Sequence, residues 1–145
     1  MPYVKVYIHF VWSTKNRIPY LSTRNLRETM WKHILENGKE KDIFIDFVNG
    51  HVDHCHCLVS MAPQQSMSKV MQLIKGEAAH WFNKQELIEG KFEWQDEYYA
   101  ASVSESNLNK VRMYIKNQEI HHLKDSSIKE FDGILIGNRF IKFVK

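Results

Sequence analysis

The residues best suited to chemistry form one short run in the middle of the chain, His51 to Val59. On a β-strand, side chains alternate, so His54 and His56 would point to one face of a sheet. Imidazole nitrogens are good ligands for several divalent metals, so two rings about 7 Å apart on one strand face could converge on an ion. The alternative is that both rings lie on a solvated sheet face and bind nothing.

Two cysteines interleave with these histidines and suggest a rival site. Cys55 and Cys57 could be grouped with the two histidines as zinc ligands. Strand alternation argues against that grouping, because the sulfurs and the imidazoles would face opposite sides. We expect the cysteines to be small buried apolar side chains.

A second segment with chemical potential lies in the helix-like run from Val111 to His122. Tyr114 and Gln118 are four residues apart, so on a helix they share a face. A tyrosine phenol can act as a covalent nucleophile, and a glutamine oxygen can complete a metal site. The alternative is a core tyrosine and a solvent-facing glutamine. His121 and His122 would lie at the helix end, where the dipole favours positive charge.

Hydrophobic periodicity predicts the elements that position these two segments. The first strand alternates from Val4 to Trp12, and the Asn49-Gly50 pair predicts a hairpin turn between two further strands. The predicted elements are a strand from Val4 to Trp12, a helix from Ser22 or Thr23 to Asn37-Gly38, strands at 43–48 and 52–61, a helix capped by Ser66 or Ser68 and reaching Trp81, a strand at 92–102, and a helix from Ser104 or Ser106 to about His122.

This order, β-α-β-β-α-β-α, predicts an α+β fold with a ferredoxin-like or RRM-like antiparallel sheet and helices mainly on one face. With 145 residues, the chain is expected to form a single domain, 1–145. No apolar run reaches the length of a membrane span and the start lacks a signal peptide's form, so we expect a cytoplasmic protein.

Charge is mildly positive overall but unevenly distributed. The formal net charge is +3, yet the first 27 residues carry five basic side chains and no acidic one, whereas five acids fall between Glu86 and Glu97. A one-signed segment of this kind is compatible with binding to phosphates.

Five segments, in the same order along the chain, resemble the HUH-superfamily single-tyrosine transposases of small bacterial insertion sequences, including their repeat-associated relatives. His54-Cys55-His56 is similar to the family's HUH motif, whose middle residue is usually aliphatic, and Tyr114 with Gln118 is similar to its catalytic helix. The matching segments are 10–17, 52–59, 75–76, 94–104 and 111–122.

The resemblance implies an HUH nuclease fold and a DNA transposase. His54, His56 and Gln118 would hold Mg²⁺ or Mn²⁺, and Tyr114 would cleave and rejoin single-stranded DNA through a 5′-phosphotyrosine link. Family members act on hairpin ends as homodimers that exchange the tyrosine helix. Alternatives are a domesticated, repeat-associated endonuclease and a non-catalytic module that binds single-stranded nucleic acid. A structural zinc protein is the weakest alternative.

Basic side chains near these segments are the candidates for DNA contacts, with ordinary solvation as the alternative for each. The candidates are Lys15, Arg17, Lys75, Lys110, Arg112 and Lys116. Asp53 precedes His54 and could orient it, but strand alternation places it on the opposite face, so we do not expect that contact.

Overall fold

The described strands and helices follow the predicted order, except that a π-helical segment divides the second of the three predicted helices into two. The computed structural model describes residues 3–118. The elements are β1 (Val6–Ser13), α1 (Arg24–Glu40), β2 (Phe44–His51), β3 (His54–Met61), α2 (Met67–Met71), a π-helical segment (Gln72–Gly76), α3 (Glu77–Lys84), β4 (Tyr99–Val103) and α4 (Leu108–Lys116). The prediction of one domain over 1–145 stays a prediction.

The strands form one antiparallel sheet in the order β2-β3-β1-β4. This order confirms the ferredoxin-like α+β class. It also makes β3, the strand with the paired histidines, a central strand with neighbours on both sides. His56 faces Val11 of β1 and Asn49 of β2 in the register. A central position fixes the strand by hydrogen bonds along both edges, so its side chains have well-defined positions.

The larger hydrophobic core lies between one sheet face and the helices α1, α2 and α3. Phe10, Trp12, Cys55 and Cys57 are all fully buried there. Burial raises the pKa of the Cys57 thiol and of the Cys55 thiol well above their usual range, so both are neutral. Because Cys55 and Cys57 lie on the sheet face away from the histidines, they cannot join His54 and His56 in one zinc site, and the expectation of small buried side chains is confirmed.

The opposite sheet face carries α4 and a smaller core. Leu58 of β3 packs there with Leu108, Tyr114 and Ile115 of α4. Val111, one turn after Leu108, is partly buried against the same cluster. Most of the helical structure covers one face, as expected, and α4 alone among the described helices packs against the face that holds His54 and His56.

The hairpin turn is displaced from its predicted position. Asn49 and Gly50 are paired residues of β2, opposite His56 and Cys55, and the turn is Val52-Asp53. The loop after β1 fixes this turn, because the backbone N–H of Thr14 donates to the Asp53 carbonyl at 2.8 Å. Gly50 instead allows β2 and β3 to approach each other closely, because a Cβ at this position would lie 2.1 Å from the His54 carbonyl oxygen. The local turn signal was overridden by tertiary contacts.

The predicted ends of the other elements are partly correct. Thr23 and Ser66 cap α1 and α2, each accepting a backbone N–H at 3.2 Å. Helix α1 continues to Glu40, past Asn37-Gly38, because both residues make tertiary contacts within the helix. The Asn37 side chain donates to the Leu73 carbonyl, and the lack of a side chain at Gly38 leaves room for the Ile45 side chain.

In the second half of the chain, the predicted boundaries differ further from the structure. Strand β4 begins only at Tyr99, and the earlier part of the predicted strand makes a single bridge between Trp94 and Thr14. A 3₁₀ turn precedes α4, so neither serine caps that helix. Helix α4 ends at Lys116, and His121, His122 and residues 123–145 lie outside the described residues.

Candidate active site

His54 and His56 lie on one sheet face and are almost completely buried, with 1% and 0% of their surface exposed. Their ring centroids are 5.2 Å apart and the rings are nearly perpendicular. The predicted shared face is therefore correct, whereas the alternative of a solvated face is wrong. Buried imidazoles need defined partners, since burying an unsatisfied polar group costs about 1–3 kcal/mol.

Asp53 orients His54, contrary to the sequence expectation. Its Oδ1 lies 2.8 Å from Nδ1 of His54, and its Oδ2 accepts a hydrogen bond from Nε of Arg17 at 3.2 Å. Burial by itself would raise the pKa of Asp53, but the hydrogen bond and charge of His54, together with Arg17, lower it to about 2. Strand alternation does not apply to Asp53, because it lies in the turn and its side chain can fold back on His54.

His9 of β1 contacts His56 from the neighbouring strand. Its Nε2 lies 2.9 Å from Nδ1 of His56, and the two rings meet edge to edge with centroids 5.1 Å apart and planes inclined by 29°. Burial lowers the pKa of His9 to about 4, so the ring is neutral at pH 7. Both histidines of the HUH strand therefore have one ring nitrogen held by a neighbouring side chain.

Helix α4 brings Tyr114 to the histidines, and the chain directly after the helix brings Gln118. The Tyr114 ring lies 5.5 Å from the His56 ring, and the phenol is 4% exposed. Nε2 of Gln118 donates to the Tyr114 carbonyl at 3.2 Å, and its Oε1 lies 3.2 Å from Nε2 of His54. Gln118 is fully buried. The structure thus assembles the predicted catalytic and ligand residues, and the solvent-facing alternative for Gln118 is wrong.

Two contacts with β2 fix the position of α4. Asn49 donates from Nδ2 to the carbonyls of Ile115 and Lys116, at 3.0 and 3.1 Å. Arg112 donates from Nε to Oδ2 of Asp46 at 2.6 Å. Backbone carbonyls at a helix end have no partner within the helix, so Asn49 satisfies groups that would otherwise need water.

The donor set around Gln118 fits a divalent cation. If Nδ1 of His54 donates its hydrogen to Asp53, a neutral ring carries its lone pair on Nε2, which faces another acceptor, Oε1 of Gln118, at 3.2 Å. Two acceptors at this distance repel each other unless a proton or a cation lies between them. Adjacent ligands of an octahedral ion with bonds of ~2.1 Å are about 3 Å apart, which matches this separation.

Within residues 3–118, no group of three His, Cys, Asp or Glu side chains is placed to hold a metal ion. Among these described residues, the Gln118 amide oxygen is the candidate third ligand beside His54 and His56. Nitrogen and neutral oxygen donors with open positions suit an ion that also binds substrate phosphates.

The candidate DNA-binding residues differ in what they already contact. Lys110 and Lys116 are exposed on α4, whereas Lys15 pairs with Glu93 and Arg17 with Asp53. Lys75 donates to the carbonyls of three loop residues, Gln95, Asp96 and Glu97, and Arg112 is held by Asp46. Part of the positive charge of the acid-free N-terminal segment is thus balanced within the chain.

Sequence reasoning did not find His9 and Asn49, and it rejected Asp53. His9 alternates with Tyr7 on the correct face of β1, but its contact with His56 depends on the register between strands that are 47 residues apart. Asn49 was assigned to the turn. Asp53 is adjacent to His54 in the sequence, but only its position in the turn explains the contact between the two side chains.

The sheet order, the buried His-x-His pair on a central strand and the tyrosine helix beside it define the class of HUH single-tyrosine transposases. The sequence matches the IS200-like transposase family over residues 2–118. The chain belongs to this family: it is a transposase of the single-tyrosine type and thus a DNA-processing enzyme. The resemblance found in the sequence is confirmed.

Two solved structures have the same fold as this chain. A candidate transposase from Deinococcus radiodurans R1 is 22% identical with a TM-score of 0.64, and the match covers 81% of this chain and 95% of that one. A REP-associated tyrosine transposase bound to a REP hairpin is 18% identical with a TM-score of 0.62, covering 84% of this chain and 72% of that one. No curated protein matches the sequence. Among the described helices, none is long and apolar enough to cross a membrane.

Proposed function

We propose that this transposase cleaves and rejoins single-stranded DNA through a covalent link to Tyr114, assisted by Mg²⁺ or Mn²⁺ held by His54, His56 and Gln118. One observation carries the proposal: Gln118 contacts both His54 and the Tyr114 carbonyl, so a single buried side chain connects the candidate ligands to the candidate nucleophile.

The proposed reaction exchanges one phosphoester for another. Oη of Tyr114 loses its proton and forms a bond to phosphorus, while the bond from phosphorus to the 3′-oxygen breaks and that oxygen takes up a proton. When bound, the divalent ion would neutralise charge on the phosphate oxygens. The product is a 5′-phosphotyrosine and a free 3′-OH. A second 3′-OH can reverse the step on another strand, because the number of phosphoester bonds is conserved.

The DNA-binding role of the basic residues belongs to the same proposal. Lys110 and Lys116 project from α4, the helix that carries Tyr114, and are exposed. Lys15, Arg17, Lys75 and Arg112 could reach phosphates only by giving up or sharing their present partners. Hairpin DNA is the substrate class that we propose, since the structural neighbour with the REP hairpin has the same fold.

The direct test is capture of a covalent protein–DNA adduct. We would incubate the full chain with Mg²⁺ or Mn²⁺ and labelled single-stranded hairpin DNA from the flanks of its own gene, and then denature the mixture. We expect an adduct that is lost in Tyr114→Phe and reduced at least 100-fold in His54→Ala and in His56→Ala. Tyr20→Phe and His80→Ala are matched controls, because these side chains lie away from the site and should leave the adduct intact.

Substrate comparisons separate the alternatives. An undiminished adduct in Tyr114→Phe would remove Tyr114 from the mechanism, and an adduct with duplex but none with single strands would refute the substrate class. Cleavage of chromosomal repeat hairpins in preference to element ends would identify a domesticated, repeat-associated enzyme. Binding of single strands without any adduct would identify a non-catalytic module.

The homodimer with an exchanged tyrosine helix also stays a prediction. In the described chain, Tyr114 lies beside His56 of the same chain. A mixture of Tyr114→Phe and His56→Ala chains tests exchange directly, because an exchanged dimer can combine an intact tyrosine with intact histidines. Recovery of adduct in the mixture supports exchange, whereas no recovery together with adduct in the wild type supports a tyrosine acting within its own chain.

A further inference from the structure

His9 is a polar residue at a buried position, where packing alone would not require a polar side chain. It is 2% exposed and its ring meets that of His56 edge to edge, with centroids 5.1 Å apart. In the strand register, His9 is opposite Leu58 and Val11 is opposite His56. His9 is therefore the diagonal neighbour of His56, a position from which an aromatic side chain can reach across two strands.

The contact between the rings is a nitrogen–nitrogen hydrogen bond. Nε2 of His9 and Nδ1 of His56 are 2.9 Å apart, so one of them carries the hydrogen and the other accepts it. The two arrangements differ in their consequence for His56. If His9 donates, a neutral His56 must carry its own hydrogen on Nε2. If His56 donates from Nδ1, its Nε2 presents a lone pair.

Only the second arrangement is compatible with His56 as a metal ligand, because coordination uses the lone pair of a neutral imidazole. From this geometry we infer that His9 is the positioning residue of His56: its Nε2 accepts the Nδ1–H of His56, and this fixes the tautomer and the direction of the ligand nitrogen. The inference rests on the proposed function, since it assigns His9 a role toward the proposed metal site.

The two ligand histidines are then held in the same way by different groups. Asp53 holds Nδ1 of His54, and His9 holds Nδ1 of His56. Asp53 is a carboxylate and increases the basicity of its partner, whereas a neutral imidazole fixes the tautomer with little added charge. The pair thus combines one charged support from the turn before β3 with one neutral support from the neighbouring strand β1.

The tautomer of His56 can be measured in the wild-type protein, with one variant needed only for signal assignment. Two-dimensional ¹⁵N–¹H NMR of the ¹⁵N-histidine-labelled full chain distinguishes Nδ1–H from Nε2–H forms, and His56→Ala assigns the His56 signals. We expect His56 in the Nδ1–H form both in the metal-free protein and with Mg²⁺. If His56 is in the Nε2–H form both in the metal-free protein and in the presence of Mg²⁺, the inference is overturned, whatever the variants do.

Two variants give an independent readout. His9→Phe keeps a planar ring and removes the acceptor, whereas His9→Gln keeps an amide oxygen able to reach Nδ1 of His56. We expect the Kd for Mn²⁺, measured by calorimetry on the full chain, to rise about 10–100-fold in His9→Phe and to stay within about 3-fold of wild type in His9→Gln. An unchanged Kd in a folded His9→Phe would refute the inference.

These outcomes separate the inference from the proposed function. If the wild type does not bind Mn²⁺ and gives no adduct with DNA, the proposed function fails, and the His56 tautomer still decides whether His9 acts as the acceptor. If the wild type binds Mn²⁺ and forms the adduct but His56 is in the Nε2–H form, the inference fails together with the assignment of His56 as a ligand, whereas the covalent role of Tyr114 stands. If His9→Phe does not fold, the inference is tested by the Kd of His9→Gln for Mn²⁺ and by the tautomer of His56 in the wild type.

Discussion

Oδ1 of Asp53 lies 2.8 Å from Nδ1 of His54, the next residue in the chain, and the turn between β2 and β3 makes this contact possible. The carboxylate is itself held by Arg17 at 3.2 Å. A carboxylate on one ring nitrogen leaves the other nitrogen as the metal-facing atom, which is a common arrangement around metal-binding histidines.

Removing this carboxylate should weaken metal binding more than it weakens the fold. We expect Asp53→Asn to raise the Kd for Mn²⁺ about 10–100-fold, since an amide supports the ligand tautomer less strongly. Calorimetry on the full chain measures the Kd, and Asp96→Asn is the matched control because Asp96 is an exposed acid away from the histidines. Equal affinities in Asp53→Asn and wild type would show that Asp53 has no influence on a metal at His54.

The contact between Asn49 and the end of α4 should be measurable as stability. Asn49→Ala removes the donor for the Ile115 and Lys116 carbonyls, and we expect a loss of about 1 kcal/mol in the free energy of unfolding. Urea denaturation measures it. Asn25→Ala, at an exposed helical position of α1, should change the free energy by less than ~0.5 kcal/mol.

The same substitution should affect adduct formation, because Asn49 fixes the helix that carries Tyr114. We expect slower formation of the covalent adduct in Asn49→Ala, with little change in the affinity for DNA. An adduct rate equal to that of wild type would mean that α4 is held in place without Asn49.

Gly50 should not tolerate any side chain. A Cβ at this position would lie 2.1 Å from the His54 carbonyl oxygen and 3.0 Å from Trp31, so Gly50→Ala requires the strands to separate. We expect a loss of about 3 kcal/mol or more in the free energy of unfolding, of the size that severe steric conflicts produce. Thermal denaturation gives the comparison.

Gly76 provides the matched control for Gly50. A Cβ there meets no atom within 4 Å and the residue is helical, so Gly76→Ala should be neutral or should stabilise the protein by up to ~1 kcal/mol. If both alanine variants were equally stable, the close packing of β2 on β3 at Gly50 would be refuted.

Lys75 should lose its proton at an unusually low pH. Burial disfavours the ammonium and lowers the pKa of Lys75 to about 8, although the charges of Asp96 and Glu97 act in the opposite direction. NMR of ¹³C-labelled lysine side chains should show a midpoint near pH 8 that is absent in Lys75→Met. Titration of every lysine above pH 10 would contradict the expectation.

The sign of the accompanying stability change follows from proton binding. Between pH 8 and about 10.4, the unfolded chain holds the Lys75 proton more tightly than the folded chain does. The contribution of Lys75 to stability therefore rises with pH across this window and is constant below it. Comparison of Lys75→Met with wild type in urea at pH 7 and pH 9.5 measures the difference.

Much of the architecture was predictable because it depends on local patterns. Period-two and helical hydrophobic spacing gave the order of elements, and Thr23 and Ser66 were correct as helix caps because a cap needs only its own first turn. The fold class followed from that order. The turn at Val52-Asp53 was missed, since Asn49 and Gly50 form a favourable turn locally while the structure uses both residues for contacts with distant groups.

The sequence by itself determined the candidate residues of the site. Strand alternation assigned His54 and His56 to one face, and helical spacing assigned Tyr114 and Gln118 to another. Only the tertiary structure decided that these two faces meet, that Asp53 and His9 each hold one histidine, and that Asn49 and Asp46 fix α4. The physical reason is that alternation and spacing depend on neighbours along the chain, whereas strand register and helix docking depend on contacts between residues dozens of positions apart.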